Sequence, residues 1–399
     1  MNIINRKQIY TALLLLPYFF SVTGMLVLDN GDKKMIPLFL ISIIVSILVF
    51  KKETILNNIQ SPFVWLIGIS CTYIVFSYYY HGASSRELRA LIGVTLFLIA
   101  FPYQMLTQKV IQWVVVIGSL AICANSVYFN LYIGTGRNAG YINPIPYSTA
   151  CALISIIAFS LLLDSSPFKG KTLPLVAFLL SLPPIILSET RGIWLAFTLS
   201  IFIIIVAKCI KNPPSRKYIL FTFIFTAILT STGAFLFKDK ISDRYKQTIY
   251  EIKKIQSDDY STSVGLRLQM WMLAPELIKQ KPILGHGQEQ REILKDKLEH
   301  SEISRPLYHY ASAHYHNQFL DKMVKSGVVG LIFLILLLLY PLVMIKKSPP
   351  SDAYILIGFV SLFSIAGLTD VPFNHPQPLM LYLLFLVPIC SRCKRVTND

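Results

Sequence analysis

Apolar runs of roughly 17 to 24 residues recur along this chain, each long enough to cross about 30 Å of hydrocarbon as an α-helix. They fall near 10–28, 35–50, 61–80, 88–106, 109–133, 145–163, 172–188, 191–210, 218–237, 323–345, 353–369 and 377–391. The pattern predicts an all-α polytopic membrane protein with about twelve transmembrane helices. One stretch breaks the rhythm, because residues 238–322 are too polar to sit in a bilayer. Three parts follow: spans one to nine in 1–237, a large polar loop in 238–322, and spans ten to twelve with a short tail in 323–399.

Within the loop, 240–256 reads as a mixed-charge helix and Asp258 to Ser263 as a break. Leu266, Met270, Leu273 and Leu277 then recur at helical spacing, with Arg267 and Trp271 one turn apart on an adjoining face. Lys281-Pro-Ile-Leu-Gly-His-Gly287 ends that helix. Residues 288–300 read as a charged, solvated helix, and 313–323 leads into the tenth span.

Composition agrees with the pattern: 54% of the 399 residues are hydrophobic and 15% charged, which excludes a soluble globule. The formal charge of +16 does not mark a nucleic-acid binder, because Lys and Arg are scattered through short loops and form no basic face. They gather on the side that holds both termini, while the opposite short loops carry only Lys33, Lys34, Arg86, Arg89, Arg137 and Arg191. Both termini are therefore expected inside and the polar loop outside. The first apolar run runs into Asp29-Asn-Gly-Asp32, with no small-residue cleavage site, and is expected to be retained. The six cysteines form no disulfide framework, and Cys390-Ser-Arg-Cys393 is a lone pair with no second ligand pair.

Candidate chemistry lies on the outer side. Arg191, in Ser188-Glu-Thr-Arg-Gly-Ile-Trp194, sits between two spans with almost no loop to spare. It is either an interfacial anchor paired with Glu189 or a ligand for an anion. Arg267 is a solvated charge or a second ligand, and a guanidinium suits a diphosphate because its planar fork donates two charge-assisted hydrogen bonds. The loop holds five of the seven histidines, and His314 and His316 lie just before the tenth span. On a helix, positions i and i+2 face apart, so these two would share a metal only from an extended segment. No metal site is expected. One imidazole acting as a general base is the simpler reading, beside a histidine merely bonded to loop backbone. Arg137, in the turn-rich Gly136-Arg-Asn-Ala-Gly140 followed by Asn143-Pro144, and Asp370, at the end of the eleventh span, share that side.

Three ordered motifs carry a family resemblance: Thr190-Arg191-Gly192-x-Trp194; Gly265-x-Arg267-x-x-x-Trp271 with Pro282-x-x-Gly285-x-Gly287; and His316-Asn317-x-x-Leu320 with Gly327-x-x-Gly330. In these the chain resembles the O-antigen ligase family, within a superfamily that includes O-antigen polymerases and O-oligosaccharyltransferases. The resemblance implies a GT-C-like fold and an inverting, metal-independent glycosyl transfer at the periplasmic face of a Gram-negative inner membrane, with no cofactor. It implies O-antigen polysaccharide on undecaprenyl diphosphate as donor and a sugar hydroxyl of lipid A-core as acceptor. Arg191 and Arg267 would hold the diphosphate and His316 would take or orient the acceptor proton. Arg137, His314, Asp370, Trp271 and Asn317 would line the substrates. A polymerase or a protein O-oligosaccharyltransferase is the nearest alternative. A lipid-linked sugar transporter would instead show charged groups midway through several spans.

Overall fold

A computed structural model describes residues 3–163, 170–211 and 238–392. Its helices are α1 (Ile3–Val22), α2 (Gly24–Val27), α3 (Gly31–Phe50), α4 (Glu53–Asn58), α5 (Pro62–His81), α6 (Ser85–Ala100), α7 (Gln108–Ser126), α8 (Pro144–Leu162), α9 (Thr172–Leu187) and α10 (Arg191–Lys211). After residues 212–237 come α11 (Lys238–Gln256), α12 (Ser263–Gln280), α13 (Gln290–Glu299), α14 (Arg305–Ala313), α15 (Gln318–Val343), α16 (Pro350–Ala366) and α17 (Pro376–Arg392). No strand occurs among the described residues.

Seven helices are long and apolar enough to cross a membrane, and α9 and α16 are shorter apolar helices. The chain is thus a multi-pass membrane protein. Helices stand where eleven of the predicted spans were placed, with α6 and α17 only 16 and 17 residues long. The ninth predicted span, 218–237, lies outside the described residues, as does Cys393.

Helix α8 is the centre of the bundle: 83% of its most apolar stretch is buried, against 22% for α10. Its small residues explain this, because Ser148, Ala150, Ala152, Ser155 and Ala158 let neighbouring backbones approach closely on several faces. Helices α7, α9 and α17 pack around it, and α10 lies against α16.

The polar segment folds onto one end of this bundle around its own apolar cluster of Leu266, Met270, Leu277, Leu294, Leu307 and Tyr315. Helix α13 is therefore not wholly solvated as its charges suggested, since Gln290 and Leu294 are fully buried. Helix α14, which no apolar period announced, is set by its start: Ser304 Oγ accepts from the Leu307 N–H and Pro306 occupies the first turn.

One joint between the segment and the membrane helices is built on glycines. Helix α15 breaks at Gly327 (φ 60, ψ −165), a backbone conformation open only to glycine. The turn after α12 docks into that break: the His286 and Gly287 N–H groups donate to Val324 and Lys325 carbonyls at 2.8 and 2.9 Å, and Val328 N–H donates to Pro282 O at 2.9 Å. A Cβ on Gly285 would lie 2.5 Å from the α15 backbone, and one on Gly327 would lie 2.2 Å from Ile283 O. The glycines of two separate sequence motifs are thus the two halves of one contact.

Candidate active site

The positions singled out in the sequence fall in two adjacent sets that meet at Asp370. The first is a cleft of about 430 Å³ lined by Arg137, Arg191, Arg244 and Arg267, with Glu189 and Asp370 in the same wall. Arg191 opens α10, and Gly192 beside it lets that helix approach the 367–370 loop, because a Cβ there would fall 2.4 Å from Thr369 Oγ1. Glu189 is not the partner of Arg191. Arg191 pairs with the buried Glu251 at 2.8 Å and donates to Thr248 Oγ1 at 2.8 Å. Glu189 instead takes Lys240 at 2.8 Å and Arg244 at 3.0 Å.

Burial pulls the Arg267 guanidinium below its ordinary pKa, with Asp370 opposing that pull. Burial likewise lowers Arg137, whose buried Nε has no hydrogen-bond partner, and the nearby Arg244, Arg267 and Arg191 add to the effect. Guanidinium groups stay charged at any such shift. The cleft is therefore short of counter-charge and is suited to an anion with several phosphate oxygens.

The second set is built on the strand-like turn between α14 and α15. Tyr315 is fully buried, its hydroxyl donating to Gln290 Oε1 at 2.9 Å and its N–H to Asp321 Oδ1 at 3.2 Å. His314 is extended (φ −168, ψ 161), so its side chain and that of His316 point away from Tyr315 to a common side, with ring centroids 4.1 Å apart. The pair is therefore not on a helix, where positions i and i+2 would face apart. His316 itself is held at φ 47, an uncommon conformation for a side-chain-bearing residue that requires support from its surroundings.

That support is visible. The Trp271 Nε1–H donates to Tyr315 O at 3.0 Å, and Asn317 caps α15 by accepting from Phe319 and Leu320 N–H groups, both at 3.1 Å. Both residues hold the histidine turn in place through these bonds. Gln318 ties it to the following loop, its N–H donating to Gly367 O at 2.7 Å and its Oε1 accepting from Phe373 N–H at 2.8 Å.

This loop delivers Asp370, 2% exposed, to the boundary between the two sets. Its carboxylate lies 3.3 Å from His316 Nδ1 and 3.4 Å from His375 Nε2, distances of ion-pair contact without hydrogen-bond alignment. Burial works against the charged Asp370, yet the His316 and His375 rings hold its pKa below the ordinary carboxylate range. Burial and the neighbouring His316 push His314 down to about 3, so His314 is a neutral imidazole. His314, His316 and Asp370 each offer a ligand atom within 4.8 Å of the others, a spacing that could hold a metal ion. The extended backbone is what makes this grouping possible where no metal site was expected.

Two residues escaped the sequence reading. Arg244 lies in a helix that looked uniformly charged, though Arg244, Thr248 and Glu251 at i, i+4 and i+7 already marked one polar face. His375 had no motif, and only the fold returns it to Asp370.

Residues 176–335 match the family described as O-Antigen ligase, a stretch that includes Arg191, Arg244, Arg267, His314 and His316 but not Arg137, Asp370 or His375. The chain is 26% identical over 262 residues to an O-antigen ligase of Escherichia coli (strain K12), covering 64% of this chain and 58% of that protein. It is 28% identical over 225 residues to an uncharacterized protein of Haemophilus influenzae, covering 52% of this chain and 54% of the relative. The chain thus spans little more than half the length of these curated relatives.

Proposed function

We propose, from the match of residues 176–335 to the family described as O-Antigen ligase, that this membrane protein is an O-antigen ligase. It transfers polysaccharide from undecaprenyl diphosphate to a sugar hydroxyl of lipid A-core, at the periplasmic face of the inner membrane. The observation that carries this reading is the juxtaposition at Asp370. On one side are four guanidinium groups, on the other a histidine turn with His316 against the same carboxylate.

The chemistry follows from that arrangement. Arg191 and Arg267, with Arg137 and Arg244 beside them, bind the diphosphate and stabilise the charge it gains as leaving group. A proton on His316 Nδ1 faces Asp370, which leaves the Nε2 lone pair for the acceptor hydroxyl. The hydroxyl oxygen attacks the anomeric carbon opposite the diphosphate and inverts it. The carbon–oxygen bond to phosphate breaks with its electrons passing to the diphosphate, and the acceptor proton goes to His316. Asp370 stabilises the resulting imidazolium. His314, uncharged, lines the acceptor side.

Deletion of the gene in its native host tests this reading. Lipopolysaccharide should collapse to bare lipid A-core while polymer accumulates on undecaprenyl diphosphate. Core bearing a single repeat unit would make the protein a polymerase, and an unchanged ladder would refute both.

A further inference from the structure

A second cavity, open and of about 990 Å³, adjoins this centre. Its inner wall is His314, His316, Asp370 and His375, and it shares Asp370 and Ile145 with the arginine cleft. His316 lines this cavity and not the arginine cleft. A general base must touch the hydroxyl whose proton it takes. The molecule in this cavity is therefore the one that gives up a proton.

The outer wall has the chemistry of a sugar site. It is formed by the 28–33 turn, Arg86, the 141–146 segment and Gln377. Asp29, Asp32 and Arg86 have no ion-pair partner among the described residues, so carboxylate acceptors and a forked donor are free for hydroxyl groups. The Tyr141 ring is 66% exposed at the same wall, an amphipathic platform of the kind that covers the face of a pyranose. The backbone of the turn also packs closely. Asn30 is left-handed (φ 51), and Gly31 has no room for a side chain, since a Cβ would lie 2.4 Å from Met25 O.

From these observations we infer that this cavity is the acceptor-saccharide subsite, with Asp29, Asp32, Arg86 and Tyr141 reading the sugar whose hydroxyl reaches His316. The inference rests on the transferase reading above and adds the residues that select its acceptor.

The test uses the full-length protein in lipid nanodiscs with Asp32→Asn, Arg86→Gln and Tyr141→Ala. Initial rates are measured against acceptor and, separately, against lipid-linked donor, and thermal melting checks that each variant folds. The acceptor KM should rise about tenfold in each variant, while the donor KM stays within twofold. Calorimetry with delipidated core oligosaccharide should show binding to wild type and at least tenfold weaker binding to Tyr141→Ala. A rise in donor KM alone would make the cavity a donor-glycan site, and no change in either KM would remove it from recognition; both overturn the proposal. Should wild type transfer to a different glycan acceptor, the same split read on that acceptor decides the cavity, while the choice of lipid A-core falls separately.

Discussion

Replacing Asp370 with Asn tests the coupling between the carboxylate and the proposed base with little change of shape. Asp370 Oδ1 lies 3.3 Å from His316 Nδ1. Two unit charges at that separation attract by roughly 5 kcal/mol at an effective dielectric constant near 20. The contact is not aligned as a hydrogen bond, and His375 shares the carboxylate at 3.4 Å. We therefore take about half of the attraction, close to 3 kcal/mol, as the stabilisation an imidazolium loses in the transition state. That corresponds to a fall in kcat of about 10²-fold. The donor KM should not rise, because the arginine cleft loses a negative charge and keeps its four cations. The assay is the initial rate of glycan transfer by purified protein in nanodiscs, with both substrates varied and melting temperature monitored. Wild-type kcat in a folded Asp370→Asn protein would refute the reasoning. A raised donor KM with unchanged kcat would move Asp370 from the base to the diphosphate side.

Three other perturbations have defined outcomes. Arg267→Lys retains the charge but not the fork, so transfer should fall by 10- to 100-fold, an estimate of about 1.5–3 kcal/mol for a charge-assisted pair; full activity would reduce Arg267 to a screening charge. His314, depressed to about 3 from an ordinary 6.5, is neutral in the fold, so the unfolded chain binds the extra proton between these values. Its contribution is intact above pH 6.5 and lost as pH falls below it. The melting temperature of wild type should therefore drop between pH 7 and 5, and His314→Phe should flatten that slope; equal slopes would contradict the burial argument. Gly327→Ala places a Cβ 2.2 Å from Ile283 O in a conformation only glycine adopts, and should destabilise the protein by about 3 kcal/mol or more. A purified variant that melts like wild type would show that the joint between α15 and the α12 turn can relax.

What was legible in the sequence differs by the kind of signal. The apolar runs marked the membrane helices because burial in hydrocarbon acts on every residue of a span. Arg191, Arg267 and His316 were legible because each sits within two residues of a glycine or cap residue whose backbone role leaves a local trace. Arg244 and His375 had no such trace: one is a charge among charges, and the other depends on a long-range approach of the 367–375 loop to the histidine turn. Trp271 and Asn317 were found, but their role was not legible, since an indole N–H bonded to Tyr315 O and a helix cap are facts of packing. The extended backbone at His314 likewise depended on Tyr315 having a buried place among Leu294, Leu307 and Gln290, which only the folded polar segment provides.

The most direct test of the central claim is single-turnover transfer in nanodiscs, with undecaprenyl diphosphate-linked polysaccharide as donor and lipid A-core as acceptor, comparing wild type with His316→Ala. Wild type should form glycan-bearing lipid A-core and free undecaprenyl diphosphate in equal amounts. His316→Ala should bind donor but transfer at least 10²-fold more slowly, within the usual range for a lost general base. Transfer at the wild-type rate by a folded His316→Ala protein would contradict the account.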